Sequence, residues 1–365
     1  MKKLIILSIF AVALMGIMPV VSADTIVTTG LVADTIGGNP PIVKAKWEAN
    51  YLSAANRYTD ASTADGAQIM PSGLYQVNKA ISICAVVTDP DGLADVTNVY
   101  ADVFYPEGVA LGDHHTPLSD QSGDGCGQLM QEDSLTKLSK TAGIELFCNK
   151  VRTLNENLPT FNTDYDYAEI CGEEGELQKD TAAVYCGQKD ISYEDPSGDY
   201  KVWAVAVDQA GKQGLLENHF TYQPLTAFET DFDSIAYGSV RLNTHKIISG
   251  DKTWAPGVTG NKASVRNIGN TRLAMKVWQN DMGLSKTDGI WNVKYDARVG
   301  SAATYASYWP EVTTTLASEL DLSELDEMDF SIDISKFPPT HTEDSYTGTM
   351  TLSAAKVDHL DNCGI

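Results

Sequence analysis

The stretch Asp120-Gln121-Ser122-Gly123-Asp124-Gly125 places side-chain oxygens at its first, third and fifth positions and glycine at its sixth. Hard cations such as calcium need several oxygens converging at ~2.3–2.6 Å, and glycine lets the chain turn tightly around them. The end of the pattern departs from a complete calcium loop: its twelfth position is Gln131, and the carboxylate arrives one residue late at Glu132. Asp120, Ser122, Asp124 and Glu132 are therefore candidate calcium ligands, with Cys126 placed to fix the loop. A solvated acidic loop rich in glycine explains the same residues without a metal and is the favoured reading. Asp89, Asp91 and Asp95 crowd a second turn, where calcium and plain Asx turns are again the alternatives, the turns being favoured. Asp208, at the end of a strand pattern, either ligates or caps. His114 and His115 follow Asp113 as adjacent histidines; on a strand they point to opposite faces, so an exposed loop is expected rather than a chelating pair.

Six cysteines, Cys84, Cys126, Cys148, Cys171, Cys186 and Cys363, are even in number and lack the paired spacing of a zinc site. Disulfides are the expectation, with the pairing open. Cys363 either clamps the tail internally or bridges to another subunit. Trp291, Tyr295, Tyr305, Tyr308 and Trp309 concentrate flat side chains in 290–309, which suits a carbohydrate-binding surface, a subunit interface or an ordinary sandwich core. Trp291 and Trp309 are the candidate ligand-binding residues. No G-x-S-x-G elbow, H-E-x-x-H helix, P-loop or dinucleotide fingerprint occurs, and the carboxylates, though abundant, form no recognisable catalytic pair. The expectation is a protein that is not an enzyme.

The elements that would position these residues are mostly strands. Segment 42–48 alternates apolar and polar residues behind Pro40-Pro41, 80–88 is a β-branched run ending at Asp89-Pro90-Asp91-Gly92, and 96–105 alternates cleanly. Segment 200–207 is apolar on both faces, which predicts a central strand covered on both sides. Between these lies an insertion of about 109–194, holding four of the six cysteines, in which 128–151 has the spacing of one or two short helices interrupted at Gly143. Strand patterns resume in 263–268, 272–278 and 346–354. The predicted class is mainly β: two Ig-like β-sandwich domains, 24–227 and 228–365, the first with a partly helical, disulfide-bearing insertion.

Lys2 and Lys3, the apolar run 4–18 and Val21-Ser22-Ala23 before Asp24 have the layout of a secretory signal peptide over 1–23. The apolar run is shorter than the ~20 residues that span a bilayer, so no transmembrane anchor is expected. The chain carries 26 Lys+Arg against 49 Asp+Glu, a net charge of −23 that cleavage of two lysines would move to −25. So acidic a chain is a poor partner for nucleic acid or anionic lipid, both of which need a basic surface.

The G-x-Y-x-V-x-A-x-x-D-x-x-G layout of 198–211 resembles the penultimate strand and turn of Ig-like, PKD-like and cadherin-like extracellular modules. Segment 264–281, with its Asn-Ile-Gly-Asn turn, and strand 346–354 resemble archaeal and Gram-positive secreted sandwiches, TasA and camelysin-type fibre subunits among them. Together with PPIVKAKWE, CAVVTDPDGLADV and YADVFYPEG, these segments make the chain similar to secreted surface proteins of methanogen-type archaea. The resemblance implies location and fold, not chemistry. The function expected is a secreted, non-catalytic structural or adhesive component of an extracellular layer, sheath or fibre. It would partner itself, other surface proteins or cell-wall glycan. The alternative is a carbohydrate- or peptide-binding module; a secreted hydrolase is the least supported.

Overall fold

Four sheets, and a two-stranded ribbon beside them, carry the chain in a computed structural model that describes residues 38–60, 66–338, 345–357 and 363. The segment 1–23, expected from its sequence to be a signal peptide, lies outside the described residues. The fold is mainly β, 42% strand and 8% helix.

The first sandwich consists of β1 (Ile42–Asn50), β2 (Gln68–Ile69), β3 (Lys79–Thr88), β4 (Val96–Phe104), β5 (Leu129–Ser134), β6 (Thr136–Lys137), β7 (Thr160–Phe161), β8 (Ala182–Ile191), β9 (Gly198–Asp208) and β10 (Gln213–Tyr222). One sheet runs β6-β8-β3-β1-β7 and the other β2-β10-β9-β4-β5. Their inner faces enclose a core that includes Ile83, Val103, Tyr200, Val202 and Phe220. The Tyr200 hydroxyl donates to the Pro196 carbonyl at 2.8 Å, tying the start of β9 to the chain four residues upstream as a tyrosine corner does.

Two expectations change here, and one strand is buried more fully than its pattern alone shows. The polar residues of the alternating segment 42–48, now β1, do not face solvent: Lys44, Lys46 and Glu48 are all buried. Glu48 and Asn218 satisfy Lys46 on one face, while Trp47 on the other packs against Phe147 at 5.3 Å. Strand β9 is central, between β10 and β4, but its outer face, with Lys201 and Trp203, is only half-buried. The 109–194 segment is not one appended unit. Strands β5 and β8 belong to the sandwich frame, with β8 paired along ten residues of β3, so 129–134 is strand where helix was expected.

The helical part is confined to α1 (Lys140–Gly143), a π-helical turn (Ile144–Val151), α2 (Arg152–Leu154), α3 (Tyr167–Cys171) and α4 (Glu176–Lys179). Gly143 does not interrupt it. A Cβ there would stand 3.1 Å from Val184, so glycine lets the helix lie against β8. Phe147, Phe161 and Tyr167 form an aromatic cluster over the sheet, with ring centroids 4.9–6.2 Å apart.

The second sandwich comprises β11 (Phe228–Thr230), β12 (Lys246–Ile248), β13 (Ser264–Asn267), β14 (Leu273–Gln279), the ribbon β15 (Lys286–Thr287) and β16 (Ile290–Trp291), then β17 (Val293–Val299), β18 (Ala306–Tyr308), β19 (Thr314–Leu320), β20 (Leu325–Ile334) and β21 (Met350–Lys356). One sheet runs β11-β13-β20-β17-β18, with β12 also on β20, and the other β19-β14-β21. On β14 and β17, buried and half-buried residues alternate, as expected of strands with one face on a core.

Candidate functional site

The strand ends of the first sandwich gather four carboxylates. Strand β3 stops at Thr88, β4 resumes at Val96, and β9 ends at Asp208, which lies opposite Val96 in the ladder. Asp89, Asp91 and Asp95 therefore occupy one short turn. Each offers an oxygen, and these lie within 4.8 Å of one another, the one such group of three among the described residues. The Asp91 backbone N–H donates to Asp89 Oδ1 at 2.8 Å, an Asx turn that folds the carboxylates together. Asp91 also accepts from Asn39, and Asp208 Oδ1 accepts from the Lys212 backbone N–H at 2.7 Å. Asp89 and Asp208 are 4% and 2% exposed, and the Oδ2 atom of each is buried with no hydrogen-bond partner. Burial raises the Asp89 pKa above the usual carboxylate range, and the charges of Asp95, Asp91 and Asp208 push the same way.

The second candidate set does not converge. Asp120 accepts from the Gln131 amide and faces the buried ammonium of Lys189 at 3.8 Å, so a protein cation already stands beside it. Ser122 Oγ donates to the Leu129 carbonyl at 3.4 Å, and the Asp124 N–H is taken by Gln128. Glu132 sits on β5 opposite Asp102, not at the start of a helix. The glycines here serve packing: Gly125 has φ +86°, and a Cβ on it would approach the Val109 carbonyl to 2.7 Å.

Asp113-His114-His115 divides rather than lying wholly exposed. His114 is open to solvent, while His115 Nε2 is buried against Asp195 Oδ1 at 2.9 Å. Asp195 also accepts from the Gln121 amide and the Ser192 N–H through Oδ2. This buried pair had no legible signal, because 80 residues separate its members. The Lys46–Glu48 pair had one: residues two apart on a strand share a face.

All six cysteines are bonded. Cys84–Cys186 crosses directly between β3 and β8, Cys148–Cys171 staples the helices, and Cys126–Cys363 joins the first sandwich to the C-terminal tail within the chain. Polar contacts reinforce that last link. Arg272 Nε donates to Asp321 at 2.7 Å while its Nη2 reaches the carbonyls of Ala110 and Leu111, and the Asp113 N–H donates to Asp321 at 2.8 Å. The Ser197 N–H donates to the Asn270 carbonyl at 2.8 Å. Arg266 lies between the rings of Tyr75 and Trp254, 3.9 Å from each centroid.

The 290–309 aromatics serve different ends. Tyr295 and Tyr308 are buried core residues. Trp291 is half-buried beneath the Lys286 ammonium, 3.9 Å from its ring centre, and Trp309 is 44% exposed. Beside strand β21 the second sandwich opens into a groove of about 1120 Å³, lined among others by Phe228, Phe232, Tyr237, Met282, Ile332 and Leu352. Strand β21 pairs only with β14 among the described residues, and its Met350, Leu352 and Ala354 are half-buried.

Neither a family model nor a curated protein matches the chain. Among solved structures, the chain is similar to the CsuC–CsuE chaperone–tip adhesin pre-assembly complex of Csu pili from Acinetobacter baumannii, at 12% identity and TM-score 0.24, over 80% of this chain and 98% of that one. A chaperone–tip adhesin complex of CFA/I fimbriae biogenesis matches at 10% identity and TM-score 0.24, over 88% and 92%. The secreted serine protease VesC of Vibrio cholerae matches at 8% identity and TM-score 0.18, over 80% and 50%. Similarities of this size carry no argument about function.

Proposed function

We propose that the chain is a secreted, non-catalytic surface protein, a structural or adhesive component of an extracellular layer, sheath or fibre that assembles through sheet edges and sandwich faces. The observation that carries this reading is the groove, lined by both apolar and polar side chains, beside strand β21, which is an edge strand among the described residues. An edge strand presents backbone donors and acceptors to an added strand, and half-buried Met350 and Leu352 would be covered by it. Three disulfides suit an oxidising compartment. Among the described residues no helix is long and apolar enough to cross a membrane. The resemblance to methanogen-type surface proteins points the same way. The test is the assembly state of the oxidised mature chain, by light scattering and electron microscopy across concentration. Polymers that Leu352→Lys shortens or abolishes are the expected outcome; a strictly monomeric wild type overturns the reading.

The exposed ring of Trp309 favours glycan binding as a second reading. Retention on cell-wall glycan should then fall with Trp309→Ala and change less with Trp291→Ala, whose ring Lys286 already covers.

A further inference from the structure

We propose that Asp89, Asp91 and Asp95 form a calcium site at the strand ends of the first sandwich, beside the buried carboxylate of Asp208. The site is independent of any assembly through β21.

Asp89 is 4% exposed and Asp208 2%, yet the Oδ2 of each has no hydrogen-bond partner. A buried ionised oxygen without a partner costs free energy unless a cation or proton satisfies it. Asp89 shares with Asp91 and Asp95 the space in which their oxygens approach within 4.8 Å, and Asp208 ends the neighbouring strand, opposite Val96, at the close of the same turn.

The backbone holds the group in place. Asp208 is fixed by the β4–β9 ladder, and the Thr97 hydroxyl donates to its carbonyl at 3.1 Å. The turn is closed by the Gly92 N–H on the Asp89 carbonyl at 3.0 Å and the Asp95 N–H on the Gly92 carbonyl at 2.9 Å. The oxygens are thus preassembled by groups that no ion need displace.

The donor set is oxygen only, which selects a hard cation over zinc or copper. The site mixes buried Asp89 with half-buried Asp95 and exposed Asp91, so one side stays open for entry and for water ligands. Calcium accepts such an irregular mixture of carboxylate and water, whereas magnesium demands near-octahedral geometry. The Asp120 loop differs on the decisive point, since Lys189 already faces its carboxylate.

The experiment titrates CaCl₂ into EDTA-treated, intact oxidised protein by calorimetry, with thermal unfolding in parallel. One equivalent should bind, and saturation should raise Tm by roughly 3–6 °C. Asp89→Asn retains an oxygen to accept the Asp91 N–H while removing charge. It should weaken calcium binding at least tenfold, abolish the calcium-dependent rise in Tm, and raise Tm in EDTA by relieving repulsion. Asp95→Asn, at a partly exposed position, should weaken binding without threatening the fold, and Asp120→Asn should leave it unchanged. The site is refuted if wild type binds no calcium at millimolar concentration, if Asp89→Asn and Asp95→Asn bind as wild type does, or if Asp120→Asn removes the binding. Equal affinity for magnesium overturns the assignment to calcium. None of these outcomes bears on whether the chain polymerises.

Discussion

The Cys126–Cys363 bridge closes the longest covalent loop in the chain, with a sequence separation of 237. Its removal by Cys126→Ala with Cys363→Ala tests what holds the two sandwiches together. In the chain-entropy description, a loop of that length restricts the unfolded state by about 5.5 kcal/mol, against about 4.7 for Cys84–Cys186 and about 3.4 for Cys148–Cys171, whose separations are 102 and 23. The other two bridges shorten the path from 126 to 363 only slightly, so they do not substitute for it. What remains across the junction is mostly polar and partly solvated: Arg272, 15% exposed, on the Ala110 and Leu111 carbonyls, the Asp113 N–H on Asp321, 22% exposed, the Arg266 guanidinium over Tyr75, and a few backbone bonds. Such pairs contribute ~1 kcal/mol or less when water reaches them. Guanidinium unfolding under oxidising conditions, followed by tryptophan fluorescence and circular dichroism, should show a loss of several kcal/mol. The transition should split in two as the sandwiches unfold separately. A single transition with an unchanged midpoint would refute the reasoning, because docking would then rest on the noncovalent contacts alone.

Two further perturbations probe the first sandwich. Lys46→Met strands the buried Glu48 carboxylate and should cost about 3–5 kcal/mol in denaturant titration, whereas Lys46→Met with Glu48→Met should recover much of it; an equal or larger loss in the double variant would contradict the pairing. Burial, and then the charge of Glu132 opposite it on β5, raise the Asp102 carboxyl to about 6. The folded state therefore holds this proton more tightly than the unfolded chain does, so the contribution to stability is complete below ~3.9 and is lost as pH rises through about 6. Asp102→Asn should gain in Tm relative to wild type at pH 8 more than at pH 4, and an identical difference at both values would remove the coupling.

Much of the strand framework was legible because it rests on local period. The alternation of 96–105 and the bounded run 200–207 appear as β4 and β9, and the Asn-Ile-Gly-Asn turn separates β13 from β14. The even cysteine count pointed to disulfides, which the structure contains. The helical spacing read over 128–151 was misleading at its start, because Met130 is a buried residue of a short edge strand whose partner β4 lies some thirty residues back.

Sequence alone determined the mainly β class, the oxidised cysteines and the crowding of Asp89, Asp91 and Asp95 in one turn, since each follows from residues close in the chain or from their count. Only the tertiary structure decided which cysteines meet, that Asp120 faces Lys189 instead of an open coordination sphere, that His115 is buried on Asp195, and that Asp208 ends its strand opposite Val96, where the Asp89 turn closes. Each of these depends on strand register and on segments distant in sequence being brought within a few ångströms. Local propensity and spacing carry no information about such pairings.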